Sequence, residues 1–219
     1  VFHIVNGYVV EVASCECGTT TSTTTLPPTV NECCGVLIAS GDNIYLYNVG
    51  MNMNLLNVPG YVENYGIAMT ANYLWSVDDN FFYKWDIALN PFTATANYPV
   101  GLPSGFTISA GFVALNDDYL IVVDNSTFPF ENVVEMNVSG SGDAVPTVKF
   151  ALQENRTAHG NMLITTSGKY IIINEDTLTN EYFISQYDYA TGTLELDLSI
   201  GDVQANSLYE CDCTIYFSD

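Results

Sequence analysis

This sequence predicts an all-β fold, on three observations. Short runs rich in Val, Ile, Tyr and Phe follow one another along the chain, as in "NIYLYNVG", "YLIVVDN" and "KYIIINED". Asn, Asp, Gly, Ser and Thr separate these runs, which is the punctuation of strands joined by tight turns. No segment carries the 3.6-residue apolar period of an amphipathic helix. The stretch "TLELDLSIG" alternates strictly, so Leu194, Leu196, Leu198 and Ile200 are expected on one face and Glu195 and Asp197 on the other.

The runs repeat. "YLWSVDDNFFYKWDIA" (73–88) aligns without a gap on "GVLIASGDNIYLYNVG" (35–50). Each is a β-run, a polar turn, and a second β-run closing on an aromatic, Asp or Asn, a branched apolar residue and a small one. Later copies end at Asn137 and Asp188, after second strands that start at Tyr119 and Tyr170. Short strands in units of roughly 40–50 residues are the mark of a β-propeller, each unit being one four-stranded blade. A lone twisted sheet has two apolar faces to cover, and stacking blades around an axis covers both. Asn48, Asp86, Asn137 and Asp188 are expected to hold backbone groups of the turns that follow them.

The chain ends complete the expected ring. Residues 1–14, "VFHIVNGYVVEVAS", read as a hairpin turning at Asn6-Gly7 and supplying the outer strands of a last blade. "QANSLYECDCTIYFSD" at the other end reads as that blade's inner strands. The expectation is therefore five four-stranded blades, the last shared between the two ends, which leaves no dangling sheet edge inside the ring. Residues 15–34 form a Cys-flanked, Thr/Pro-rich loop, and 35–219 carry the blades of a single domain.

Six cysteines fall near that seam: Cys15, Cys17, Cys33, Cys34, Cys211 and Cys213. Their spacing lacks the Cys-x₂₋₄-Cys pairs of zinc sites, so they are expected to form disulfides, with the pairing left open. Thr19, Thr20, Thr21, Thr23, Thr24 and Thr25 lead into a Pro pair, a composition suited to O-glycosylation. Asn125, Asn137 and Asn155 begin Asn-x-Ser/Thr acceptor triplets. Together these features place the chain outside the cytosol: extracellular, at a cell surface, or in a virion.

Composition limits the function. Hydrophobic residues make up 48% of the 219, which excludes a disordered chain. Acidic residues number 25 against four basic ones, a net charge of −21 that repels nucleic acid. No apolar run is long enough for a membrane span. Glycoside hydrolysis needs two carboxylates at a fixed separation. Of the expected innermost strands only the last carries acids, Glu210 and Asp212. Acids at Asp78-Asp79, Asp117-Asp118 and Glu175-Asp176 read as solvated turns, with calcium the one metal they could hold. His159 reads as part of a polar loop and His3 as part of a closing strand. No nucleophile motif accompanies either, so no enzyme and no resident cofactor is expected.

With "KWDI" at 84–87, the repeat resembles a degenerate WD-like unit of β-propeller proteins. The Cys-flanked Thr tract and the Lys-poor strands rich in Asn, Tyr and Thr resemble structural proteins of bacteriophage particles or secreted surface appendages. That resemblance implies a non-enzymatic structural or adhesive module, part of a virion (decoration, tail or fibre) or of a surface filament. Its partners would be other copies of itself or other proteins of the assembly. The alternatives are a glycan- or protein-binding propeller using an exposed Trp75, and a glycoside hydrolase-like propeller.

Overall fold

The computed structural model describes residues 8–12, 35–40, 43–48, 53–56, 66–70, 72–86, 98–127, 129–165, 167–202, 207–211 and 214–218. Every element among the described residues is a strand. The first sheet holds β1 (Tyr8–Val12), β2 (Gly35–Ser40), β3 (Asn43–Asn48) and β4 (Met53–Leu56). The second holds β5 (Ile67–Met69), β6 (Tyr73–Val77), β7 (Phe81–Asp86) and β8 (Tyr98–Gly101). The third holds β9 (Ile108–Asn116), β10 (Tyr119–Asp124), β11 (Asn132–Asn137) and β12 (Val145–Ala151). The fourth holds β13 (Arg156–Ile164), β14 (Lys169–Asp176), β15 (Glu181–Asp188) and β16 (Leu194–Gly201). A two-stranded sheet of β17 (Ser207–Cys211) and β18 (Thr214–Ser218) follows. For β1–β4, β18 and all of β17 except Leu208, the description is of backbone alone.

Each sheet is an antiparallel meander in chain order. A single parallel bridge, Val12 to Met69, links the first two. The first strands lie side by side: β1 against β5, β5 against β9, β9 against β13, β13 against β17, and β17 back against β1. That closed circuit of innermost strands is the architecture of a β-propeller.

Two-sided burial explains why the second strands read as unbroken apolar runs rather than alternating ones. Along β10, Leu120 and Val122 join a core with Trp75, Val77 and Phe82 of the second sheet. Ile121 and Val123 join a separate core with Met162, Tyr170 and Ile172 of the fourth. β14 behaves alike. Its Tyr170 and Ile172 face the third sheet, while Ile171 and Ile173 pack with Leu163, Ile184 and Leu208 of β17. Full burial of each such side chain stabilises the fold by roughly 1.5–3 kcal/mol.

The repeat sits where the sequence placed it. β2–β3 and β6–β7 are the aligned strand pairs, and β10–β11 and β14–β15 the later copies. In all four, the closing Asp or Asn stands opposite the first residue of the second strand: Asn48 opposite Gly35, Asp86 opposite Tyr73, Asn137 opposite Tyr119, and Asp188 opposite Lys169.

Two expectations are corrected. Residues 8–12 do not belong to a last blade. β1 pairs with β2 over five residues, Tyr8↔Ala39 to Val12↔Gly35, as the innermost strand of the first sheet. Without it the inner edge of β2 would lack a partner, and the long 13–34 segment makes the connection between the two strands. The sharing of the last blade is therefore not seen, and residues 1–7 lie outside the described residues. The second correction concerns β16, where a register shift at Gln186/Tyr187 breaks the alternation. Leu194 pairs with Tyr187 and packs into the core between the third and fourth sheets, while Leu196 and Leu198 are 50% and 51% exposed.

Gly192 sets how closely the third and fourth sheets approach. It has φ of 70°, and a Cβ there would run into the Phe150 ring of β12. Phe150 in turn stacks on Tyr187, with centroids 5.2 Å apart. Gly192→Ala is expected to destabilise the fold by about 2 kcal/mol from the left-handed backbone plus the displaced ring. Gly142→Ala, where a Cβ meets open space, should change stability by less than about 0.5 kcal/mol. Urea denaturation midpoints check both.

Candidate functional site

Most polar chemistry among the described residues lies in the turns and in the seams between sheets. The turn acids act first as acceptors for their own backbone. Asp78 Oδ1 accepts the N–H groups of Asn80 and Phe81, both at 2.7 Å. Its Oδ2 accepts the Tyr83 hydroxyl at 2.7 Å, and that bond pushes the Tyr83 pKa up to about 12. Asp176 accepts Leu178 and Thr179 N–H at 2.9 and 3.2 Å. Those bonds, led by the one from Leu178, hold its carboxyl below the ordinary value. Each arrangement is an Asx turn, in which the side chain adds to the backbone bond across the turn, Asp78 N–H to Phe81 O at 3.0 Å and Asn180 N–H to Asp176 O at 2.8 Å.

The repeat's closing residues behave the same way where their turns are described. Asn137 Oδ1 accepts Ser139 N–H at 3.0 Å and the Ser139 hydroxyl at 2.7 Å. Asp188 Oδ1 accepts Thr191 N–H and hydroxyl, each at 2.9 Å, while Lys169 Nζ lies 3.2 Å from Oδ2. The Thr191 contacts lead in lowering the Asp188 pKa. Lys169 also meets Glu195 at 2.6 Å, which raises the Lys169 pKa and lowers that of Glu195. The turn after Asp86 lies outside the described residues.

Other polar groups tie one sheet to the next. Asp117, in the β9–β10 turn, accepts Thr70 Oγ1 and, at 2.5 Å, Asn72 Nδ2, both from the second sheet. Between the third and fourth sheets, Glu135 accepts the Tyr189 hydroxyl at 2.9 Å, and Lys149 lies 5.0 Å from the Tyr189 ring centre. Burial first, then the Glu135 bond, raises the Tyr189 pKa.

The deepest of these ties is Glu131, 6% exposed, which immediately precedes β11. Its Oε2 accepts Ala158 N–H of β13 at 2.6 Å and Ser109 Oγ of β9 at 3.2 Å. β13 is irregular there, its pairing with β14 jumping from Ala158 to Met162. Burial pushes the Glu131 carboxyl up, the Ala158 and Ser109 bonds pull it back, and Asp124 adds a smaller upward push. Asp124 is itself 4% exposed and is held by Thr107 N–H at 2.9 Å and the Ser126 hydroxyl at 2.7 Å.

Arg156 organises a second cluster. It is 9% exposed, with its guanidinium carbon 3.4 Å from the Phe183 ring centre. It reaches Asp197 at 3.3 Å, Asn174 at 3.4 Å and Asp176 at 3.7 Å. Asn174 donates to Ser185 at 2.7 Å, and Ser185 to Asp197 at 2.6 Å. The cluster spans four strands of one sheet and satisfies its members internally.

These placements revise several candidates. Trp75 is fully buried in the core between the second and third sheets, with Lys84 Nζ 5.2 Å from its ring centre. It cannot be displayed to a glycan, so the exposed-Trp75 expectation is overturned. His159 lies inside β13 rather than in a loop, its ring 5.2 Å from that of Tyr182. Asn125 is exposed in the β10–β11 connection, and Asn155 is half-buried at φ of 63°. Asn137 has both ends of its amide engaged, Nδ2 donating to the Tyr119 hydroxyl at 3.2 Å. The side chains of all six cysteines, Thr19–Thr25, His3, Glu210 and Asp212 lie outside the described residues. Among the described residues, no group of three or more His, Cys, Asp and Glu side chains is placed to hold a metal.

Sequence reasoning missed Glu131, Asp124 and Arg156. The Arg156 signal was its position at the start of an innermost strand; Glu131 left no signal, being one acid in a polar loop.

Comparison with solved structures supports the fold. A chain of a nidogen/laminin complex superposes with a TM-score of 0.59 at 11% identity, covering 87% of this chain and 68% of that one. The β-propeller domain of Cps50 (Swd1) from Myceliophteria thermophila gives 0.52 at 11%, covering 82% and 56%. A third match, the Dos1 propeller, gives 0.48 at 9%, and this chain spans less than half of it, 47%, while 81% of this chain is covered. No protein-family model matches the chain, and no curated protein matches it.

Two outcomes are expected. Because folding raises the Glu131 pKa, its contribution to stability is full below the ordinary carboxylate value and is lost as pH rises through the raised one. Glu131→Gln should therefore gain stability relative to the parent as pH goes from about 4 to about 7. The lowered carboxyls of Asp176, Asp188 and Glu195 work in the opposite sense, lost on acidification, but they are common to both proteins and cancel. Paired urea titrations across that range measure the difference. Arg156→Ala should cost about 2–3 kcal/mol, since two acids and Asn174 lose their partner. Arg156→Lys should recover less than half of that, because an ammonium cannot fork to Asp197 and Asn174 while stacking on Phe183.

Proposed function

We propose that this chain is a non-enzymatic extracellular structural or adhesive module, one component of a virion (decoration, tail or fibre) or of a surface filament. The fold is one that serves as a generic protein-interaction scaffold. One of the matched propeller structures is itself a complex, nidogen with laminin. The observation that carries the reading is what eight of the described acids do. Asp78, Asp124, Asp176 and Asp188 close turns, Asp117, Glu131 and Glu135 join sheets, and Asp197 holds Arg156. Carboxylates committed in this way brace a scaffold and are poorly placed to exchange protons with a substrate. Apolar side chains are also shown on the outer strands, with Val145 and Val148 of β12 at 63% and 58% exposure.

The extracellular assignment rests on the cysteines and acceptor triplets. Under it, denatured, unreduced protein from a secretory host should show no free thiol among its six cysteines on alkylation and mass spectrometry. Asn125 should carry N-linked sugar, and Asn137, locked between Ser139 and Tyr119, should carry none. Six free thiols together with an unmodified Asn125 would sink the extracellular reading.

A further inference from the structure

The second, third and fourth sheets turn the same end toward one side of the ring. In each, the strand registers bring together the start of the first strand, the connection between the second and third strands, and the end of the fourth. In the third sheet Asp124 stands opposite both Ile108 and Asn132, and Asn132 opposite Ala151. In the fourth, Asp176 stands opposite both Arg156 and Glu181, and Tyr182 opposite Gly201. The links 102–107 and 152–155 cross from one sheet to the next at this end. Backbone bonds tie them to the strand connections: Leu102 N–H to Asn80 O at 2.7 Å, Leu152 N–H to Glu131 O at 2.8 Å, Asn125 N–H to Thr107 O at 3.0 Å, and Thr177 N–H to Asn155 O at 2.9 Å.

At this end each of the three sheets exposes one large apolar side chain, at or shortly before the start of its third strand. They are Phe81, Phe130 and Leu178, the last 74% exposed. The turns at the opposite end, "DD" at 117–118, "SGSGD" at 139–143 and "ATG" at 190–192, hold no such residue. Turn formation does not require these side chains. Asp78 accepts Phe81 N–H at 2.7 Å, Asp176 accepts Leu178 N–H at 2.9 Å, and the Thr127 hydroxyl donates to the Phe130 carbonyl at 3.2 Å. Those bonds use the backbone of the three residues, so polar side chains there would leave the turns intact. Phe81 also leans on Tyr83, with ring centroids 6.1 Å apart. Apolar groups carried on bonded turns lose little further freedom when a partner covers them.

Charge sets the kind of partner. Asp79, Glu154, Glu181 and Asp202 are exposed at the same end. Of the four basic residues in the chain only Arg156 lies there, and it is buried against Asp176 and Asp197. Lys169 stands at the opposite end with Asp188, Lys149 is tied to Glu135, and Lys84 lies within β7 over the Tyr73 and Trp75 rings. We propose that this end of the ring is a docking surface for a protein segment carrying Lys or Arg between apolar side chains. Phe81, Phe130 and Leu178 take the apolar groups, and the surrounding carboxylates take the cations. A second copy of this chain presents the same carboxylates and is repelled. A neutral glycan leaves them without a counter-charge. The proposal rests on the interaction-module reading and adds the chemistry of the partner.

Fluorescence anisotropy with two synthetic peptides tests it, one mixing Leu and Lys, the other Ser and Lys at the same length and charge. The full chain should bind the Leu/Lys peptide roughly tenfold more tightly than the Ser/Lys peptide, the gain from partly covering two or three apolar side chains. The double variant F130N/L178N should lose that preference with an unchanged circular dichroism spectrum. V145N/V148N, on the outermost strand of the third sheet, should keep it. A parent protein without the preference, or an F130N/L178N variant that retains it, overturns the proposal. A preference lost only in V145N/V148N also overturns it, while leaving the interaction-module reading standing with its surface on the outer strands. Hydrogen exchange on the unmodified chain gives a readout free of substitutions. Saturation with the Leu/Lys peptide should slow the amides of Asn80, Phe81, Phe130, Leu178 and Thr179, and slowing confined to β12 and β16 contradicts the proposal.

Discussion

The fold depends on the second strands of the second, third and fourth sheets being buried on both faces. β10 and β14 each send alternate side chains into two different cores, so neither can be satisfied by its own sheet. A sheet with two apolar faces needs a neighbour on each side, and the only finite arrangement that gives every sheet two neighbours is a ring. Hydrogen bonding within each meander makes the sheets. Burial between them makes the ring and stabilises it most, because a surface strand of the same length would leave half of that apolar area in water.

Polar residues adapt to that constraint. Backbone groups at strand ends cannot go unpaired near a packed core, and short Asx side chains meet them at little conformational cost. The longer acids and Arg156 work between strands or between sheets, where hydrogen bonds accepted by a buried carboxylate fix the approach of one strand to the next. Glu131 illustrates the balance. Its bond to Ala158 N–H supports an irregular stretch of β13, yet its burial disfavours the charge that makes the bond strong.

The architecture was legible in the sequence because its determinants are local. Periodicity, turn chemistry and the spacing of Asn48, Asp86, Asn137 and Asp188 all operate within a few residues, and they located the strands of the second, third and fourth sheets. What failed were relations over long separations. Asn6-Gly7 is a strong hairpin signal, but nothing in residues 8–12 says which sheet they join, and the actual partner lies more than twenty residues farther along the chain. The alternation of Leu194 to Ile200 was real in sequence and was broken in space by a register shift, which depends on β15 as much as on β16. An exposed Trp75 belonged only to the alternative glycan-binding reading; its position within an apolar second strand was the better guide, and it is buried as Ile121 is in the next copy. The carboxylate of Glu131 could not have been singled out, since its burial arises from strands brought together by stacking.

Amide hydrogen exchange across the whole chain tests the central claim most directly. If burial on both faces holds the ring, the slowest-exchanging amides will be those of Leu120–Val123 and Ile171–Ile173, with β12 and β16 exchanging much faster. Equal protection in the outer strands, or rapid exchange throughout β10 and β14, would contradict the stacked arrangement.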